Sequence, residues 1–256
     1  MNAARIHRIE CDPRTAETFS PQGIGVADGL TSAQVIELAR TRGLRHLLHR
    51  EGSAFATELA LAKRMIGRPE DFFADPVGSL LGTSDGDEFI YRCSHGGRKS
   101  DFLTGFESYL RSLSGVRRAR ENAMMIADEL FTNGAKHAFP TRRISLAKSI
   151  GKLEFVAHVV GDRLAISCTD SFGLLDVQAP LEGIARCLEH GVGNAIRNGP
   201  GGAGIGSFLV FSASTSYCLA VDPGKRSTIC CAVPISARAH EGESLPKNLH
   251  ILVMER

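Results

Sequence analysis

Four polar side chains stand close together in the stretch DELFTNGAKHAFP, residues 128–140. Glu129 precedes Asn133 by four positions, and Lys136 and His137 follow directly. On a helix, at 100° per residue, Glu129, Asn133 and Lys136 fall within an arc of about 60°. A carboxylate, an amide and an ammonium on one stripe can hold a polar ligand. The opposing arc carries Ala123, Ile126, Ala127, Leu130, Gly134 and Ala138, so the same pattern also describes an ordinary amphipathic helix with a solvated face. Gly134 is out of place in that apolar arc. Glycine costs about 1 kcal/mol against alanine there, which points to close packing on a neighbouring backbone.

Two later segments carry related chemistry. ISCTDSFGLLD, residues 166–176, is an apolar run that ends on Asp170, with Gly173 just beyond. An Asp at a strand end either starts a turn or points into a pocket, where it can accept a hydrogen bond from a ligand amine. GVGNAIRNGPGGAGIGSFLVFSAS has seven glycines between Gly191 and Gly206 and runs into an apolar helix from about Ile205. Glycines at a helix start expose backbone N–H groups to a phosphate, with the helix dipole adding attraction, although a flexible surface loop has the same composition. No G-x-x-x-x-G-K-[ST] loop occurs. Gly199, Gly201 and Gly204 satisfy G-x-G-x-x-G, but the preceding LEGIARCLEHG reads as helix, so the strand a dinucleotide fold needs is missing.

The surrounding elements must position these residues. Arg5 to Cys11 reads as a strand and residues 12–30 as loop. Thr31 and Gln34 form a capping box for a helix whose apolar positions continue through Leu44, Leu47 and Leu48, loosened at Gly43. SAFATELALAKRMIG reads as a second helix, closed by Gly67, and PEDFFADPVGSLLG as a short apolar piece. GTSDGD, residues 82–87, is a linker candidate. Beyond it come a strand (EFIYRCS), two helices, a hairpin (KLEFVAHVV with RLAISCTD), the glycine-rich insertion with its helical piece, a helix, and two closing strands joined by PGKR. Antiparallel hairpins beside helices predict an α+β fold, a two-layer sandwich with helices on one face of a mixed, mostly antiparallel sheet. The predicted division is 1–85, a mainly helical region; 86–238, the domain with the chemistry; and 239–256, a tail.

In order and spacing, the segments over about residues 86–236 resemble the GHKL ATPase superfamily of histidine kinases, gyrase-type ATPases and anti-sigma serine kinases. DELFTNGAKHA looks like its N box, DSFG its G1 box, GGAGIGSFLVFSAS its G2 box, and PGKRSTICCAVPI its closing hairpin. The resemblance implies ATP and Mg²⁺ as ligands. It makes Asn133 the Mg²⁺ ligand, an oxygen donor suited to a hard cation, and Glu129 the general base. Lys136 and His137 would sit near the phosphates, lined also by Gly202, Gly204 and Gly206, with Arg197 as a further contact. Asp170 would accept the adenine amine, Gly173 would pack on the adenine, and Thr228 is the threonine common in the closing hairpin. Two positions depart from the pattern: Gly134 replaces the usual Ala, and Phe172 stands where the G1 box has its first Gly.

EFIYRCSHGGRKSDFLTGFESYLRSL is similar to the anti-sigma serine/threonine kinase branch. That implies transfer of the ATP γ-phosphate to a small antagonist protein in a bacterial switch that also holds a sigma factor. Two alternatives follow from the same resemblance: a histidine kinase-like ATPase with a response regulator partner, or a nucleotide-dependent binding regulator without turnover. His46 and His49 in GLRHLLHREG do not resemble a phospho-accepting box and read as surface residues of an Arg-rich helix. The N-terminal helices are expected to pack on the ATP-binding domain or to form a homodimer, and PKNLHILVMER to add a strand or a partner contact.

Composition bounds these readings. The 256 residues are 43% hydrophobic and 23% charged, as in ordinary globular domains. The net charge of +2 is too balanced to argue for nucleic acid or an anionic membrane. No apolar run reaches membrane-spanning length, and MNAARIHRIECD has no secretory core. Seven scattered cysteines with no C-x-x-C pair read as reduced thiols of a cytoplasmic protein.

Overall fold

The computed structural model describes residues 5–9, 22–50, 54–94, 98–138, 151–195, 205–236 and 245–255. Its strands are β1 (Arg5–Ile9), β2 (Gly23–Ala27), β3 (His46–His49), β4 (Glu88–Ser94), β5 (Lys152–Val160), β6 (Arg163–Asp170), β7 (Ser216–Asp222), β8 (Arg226–Pro234) and β9 (Asn248–Val253). They form one mixed sheet in the order β1-β2-β3-β9-β7-β8-β6-β5-β4. The β1–β2, β2–β3 and β7–β9 pairs are parallel and the others antiparallel, which is the α+β arrangement the hairpin signals predict.

On one face lie α1 (Ser32–Arg42), α5 (Lys99–Ser112), α6 (Arg120–Ala138), α7 (Gln178–His190) and α9 (Gly206–Ala213), with the short α8 (Val192–Ala195) following α7. Phe102, Phe106, Ile126, Leu130, Ile184 and Phe211 pack there against Phe155, Ile166, Leu219 and Cys231. Period-two alternation sends the intervening strand residues Ala165, Cys218, Ala220, Cys230, Ala232 and Leu252 to the opposite face. That face is covered too, by α2 (Phe55–Gly67), α3 (Pro69–Ala74) and α4 (Pro76–Leu81) through Leu61, Met65, Phe72, Val77 and Leu80. These short helices are the addition to the expected one-sided sandwich. Alternating large and small residues on β6, β7 and β8 leave room for them.

The first and last segments enter the same sheet. The helix expected to run on to Leu48 stops at Arg42, because Gly43 adopts a left-handed conformation (φ 69°) and the chain turns into β3. His46 and His49 are therefore strand residues, 2% and 6% exposed, and not the surface helix residues expected. The C-terminal segment supplies β9, which lies between β3 and β7. Lys247, just before it, donates to the Ser212 and Ser214 carbonyls at the end of α9 (2.7 and 2.6 Å).

A buried polar cluster joins these parts. Glu58 of α2 is fully buried over the sheet. It accepts from Arg163 of β6 and from Ser216 Oγ of β7 (2.6 Å), and its other oxygen lies 3.0 Å from Nε2 of His250 on β9. His250 Nδ1 lies 3.3 Å from Nδ1 of His46 directly across the β3–β9 ladder. Hydrogen bonds from His250, together with the charges of His250 and Arg163, hold the Glu58 carboxyl below its ordinary range against the opposing effect of burial. Burial, with His250 and Arg45 adding, lowers the His46 imidazole well below its ordinary value.

Among the described residues no helix is long and apolar enough to cross a membrane. The six described cysteines, Cys93, Cys168, Cys187, Cys218, Cys230 and Cys231, are free thiols. Burial pushes Cys168, Cys218 and Cys230 well above the ordinary thiol value and Cys231 up to about 12.

Candidate functional site

Helix α6 lays its apolar arc on the sheet: Ala123, Ile126, Ala127 and Leu130 are buried. Its polar stripe is not simply solvated. Glu129 and Asn133 are half-buried and line a cavity of about 430 Å³. Gly134 lies where α6 crosses the sheet. An added Cβ would stand 2.7 Å from Leu153 Cδ1 and 2.8 Å from Cys168 Sγ. The close approach expected at Gly134 is thus to strand side chains, and it brings α6 down onto β5 and β6.

Asp170 reaches the same cavity from the end of β6. Both readings of a strand-end Asp apply to it. Its Oδ1 accepts from the Phe172 and Gly173 amides at 2.8 and 3.1 Å, a turn that fixes the carboxyl group, while the residue also lines the cavity. Gly206, first residue of α9, closes another side. A Cβ there would meet the Glu129 carboxylate, with Cδ at 2.9 Å, and would lie 3.5 Å from Asn133 Nδ2. Only a residue without a side chain lets the start of α9 come this near to Glu129.

Three segments singled out in the sequence therefore meet: Glu129 and Asn133, Asp170, and Gly206. Other expected residues are placed differently. Thr228 is fully buried on the far face of the sheet, where its hydroxyl pairs with that of Thr169 at 2.9 Å. Alternation along β8 is the reason, and its neighbour Ser227 faces the cavity instead, directly opposite Asp170 in the ladder. Gly173 (φ 63°) turns its open side to the β7–β8 turn: a Cβ would clash with the Asp222 carbonyl and stand 2.7 Å from Gly224 N and 2.8 Å from Lys225 N. It closes a backbone junction and does not line the cavity. Lys136 and His137 continue α6 as helical positions, and their side chains lie outside what is described. Arg197, Gly202 and Gly204 fall outside the described residues.

The cavity wall contains residues that sequence patterns did not single out. Leu174, Leu175 and Asp176 follow the Asp170 turn, and Ala179, Pro180, Gly183 and Arg186 come from α7. Ile205 and Ser207 flank Gly206, and Cys168 and Ile229 form the floor. Ser227 Oγ accepts from Leu175 N at 3.1 Å, which ties the loop to β8. The α7 contribution was legible only as one face of a helix, Ala179, Gly183 and Arg186 at spacings of four and three.

The donor set suits a hard cation shared with a ligand. Glu129 and Asn133, one helical turn apart on α6, both line the cavity. Among the described residues no cluster of three or more His, Cys, Asp or Glu side chains forms a self-contained metal cage. A Mg²⁺ ion bound through one or two protein oxygens, with the ligand's phosphates completing its shell, needs no such cage. Comparison with models of protein families finds no match for this chain, and comparison with curated proteins finds none.

Proposed function

We propose that the chain is an ATP-dependent serine/threonine protein kinase of the GHKL type, with ATP and Mg²⁺ in the cavity and a small partner protein as phosphate acceptor. The observation that carries this reading is the meeting of Glu129, Asn133, Asp170 and Gly206 around one cavity. Asp170, steadied by the two amides on its Oδ1, accepts from the exocyclic amine of adenine. Leu174, Leu175 and Ile229 supply apolar surface for the base. Asn133 would hold Mg²⁺, which would supply charge neutralisation for the phosphates. Phosphoryl transfer asks chiefly for such positioning and neutralisation. The acceptor hydroxyl oxygen forms its bond to the γ-phosphorus as that phosphorus loses its bond to the β–γ bridging oxygen. ADP departs with the electron pair, and the hydroxyl proton passes to Glu129. In the anti-sigma arrangement the acceptor is an antagonist protein and a sigma factor is the second partner.

Calorimetry of Mg²⁺-dependent ATP binding tests the site. Wild type binds and Asn133→Ala loses the Mg²⁺ dependence. Glu129→Ala keeps ATP binding and stops phosphate transfer to partner or water. A wild-type protein that binds no ATP would overturn the reading. One that binds ATP without ever cleaving it would be a nucleotide-dependent regulator instead.

A further inference from the structure

The sheet ends on β4. Among the described residues its only neighbouring strand is β5, and Glu88–Ser94 pair with it one for one, without a bulge. The strand has no proline either. Its outward backbone N–H and C=O groups are therefore an open template for another strand. Phe89 and Tyr91 turn to the α5 side, where their rings lie 5.2 Å from those of Phe106 and Phe102. Glu88, Ile90 and Arg92 alternate with them and are exposed, Ile90 by 43%. Arg92 pairs with Glu154 of β5 through Nε, and among the described residues nothing else engages its guanidinium. Glu88 has no ion-pair partner among them. Charges on an edge strand discourage pairing with an arbitrary partner. Their placement here suits a second β4. Two antiparallel copies related by a two-fold axis set residues of the same face opposite each other, so the axis passes through a pair of like residues. With the axis at Ile90, Glu88 faces Arg92 of the second copy, and Arg92 faces its Glu88. Phe89 and Tyr91 oppose each other on the helix side, and Ile90 meets its own copy. Opposite charges and aromatic rings directly across a ladder both stabilise it. Moving the axis by one residue sets Ile90 against Glu88 or Arg92 and loses both ion pairs.

We infer that the β4 edge is a contact between two copies of this chain, paired antiparallel about Ile90 into one continuous sheet. The pairing does not depend on what the cavity binds. The competing occupants of the edge are an extended segment of another protein and a segment of this same chain, and either leaves the protein monomeric in isolation.

Sedimentation velocity of the full chain, across micromolar to submillimolar concentrations at low ionic strength, tests the pairing. One strand a side is a small interface, so wild type is expected to pass from monomer to dimer within this range. Glu88→Arg sets Arg against Arg at two symmetric positions, and Arg92→Glu sets Glu against Glu. Each variant alone dimerises about ten- to a hundredfold more weakly. An equimolar mixture of the two recovers both ion pairs in a heterodimer and returns the affinity to near the wild-type value, as does the double variant Glu88→Arg/Arg92→Glu. Thermal unfolding of each variant separates loss of pairing from loss of fold. Should Arg92→Glu fail to fold beside Glu154, Ile90→Asp decides: it sets two carboxylates on the axis and must leave a folded monomer. A wild type that stays monomeric throughout overturns the inference. So does a dimer that Glu88→Arg leaves unchanged, or a mixture of the two charge variants that associates no better than either alone.

Discussion

Gly206→Ala perturbs the site by a single methyl group. The backbone tolerates it, since Gly206 is not among the glycines with positive φ and opens a regular helix. Alanine even favours the helix by up to about 1 kcal/mol. The space is the difficulty. The new Cβ would stand 2.9 Å from Glu129 Cδ and nearer still to Oε2. Carbon atoms settle at about 3.5–4.0 Å, so the carboxyl group must retreat by about 1 Å or the start of α9 must lift by as much. A displacement of about 1 Å in a catalytic group costs about a hundredfold in rate. The Glu129 carboxylate is the far end of a flexible side chain, so its retreat costs the fold little. The helix gain offsets that strain to within about 1 kcal/mol, or about 2–4 °C in Tm for a chain of this size. The expected signature is a folded protein with a near-native Tm and phosphate transfer from ATP about a hundredfold slower. Wild-type transfer rates in a folded Gly206→Ala protein would refute the claim that Glu129 acts from this position.

Gly134→Ala tests the other close approach. Its Cβ would lie within 2.8 Å of both Leu153 and Cys168, which are buried, so overpacking outweighs the helix gain. The net loss is about 1 kcal/mol, seen as a Tm lower by about 2–4 °C; a higher Tm would refute it. The buried cluster predicts acid sensitivity. His46 titrates in the folded protein well below its ordinary 6.5, so below pH 6.5 the unfolded chain takes up the proton first and stability falls. Glu58 is also depressed, from 4.5, so its contribution is full above pH 4.5 and fades as pH drops through the lower folded value. Denaturant unfolding across pH 4–8 checks both, and His46→Leu flattens the upper part of the decline. A decline unchanged in His46→Leu would place the titrating group elsewhere.

Much of the fold was legible where one physical signal dominated. β5 and β6 follow a clean alternation around the Gly161–Asp162 turn, and the expected bounds match those observed. α5 and α6 carry apolar residues at helical spacing and were equally clear. β3 was not. HLLH has no alternation to read, because both of its faces are covered and every residue is buried. Its polar ends, His46 and His49, suggested surface, whereas the His46 ring meets that of His250 on β9 and the His49 backbone amide donates to Asn248 Oδ1. The site divides in the same way. Asp170 and Asn133 stand out by residue type and position, but the face on which Thr228 lies depends on β8 register, which one-residue slips invert. Arg186 is one Arg among many until α7 is folded against the cavity.

The buried cluster bears on how the site is held. Cys168 and Asp170 face the cavity, and the alternate residues Ala165, Ser167 and Thr169 face the layer of α2, α3 and α4. The strands that carry the cavity floor therefore have the N-terminal helices as their other support. Arg163, at the start of the same strand as Asp170, is bound to Glu58 of α2 and donates to the Leu80 carbonyl of α4 at 3.3 Å. A charge pair taken out of water is strongly destabilising once one partner is removed, so this pair tolerates little displacement of α2 relative to β6. His250 and Ser216 extend the constraint to β9 and β7. The described residues between 22 and 94 thus pack on, and in part join, the same sheet as the cavity floor. They and the C-terminal strand complete the sheet whose β6 end positions Asp170.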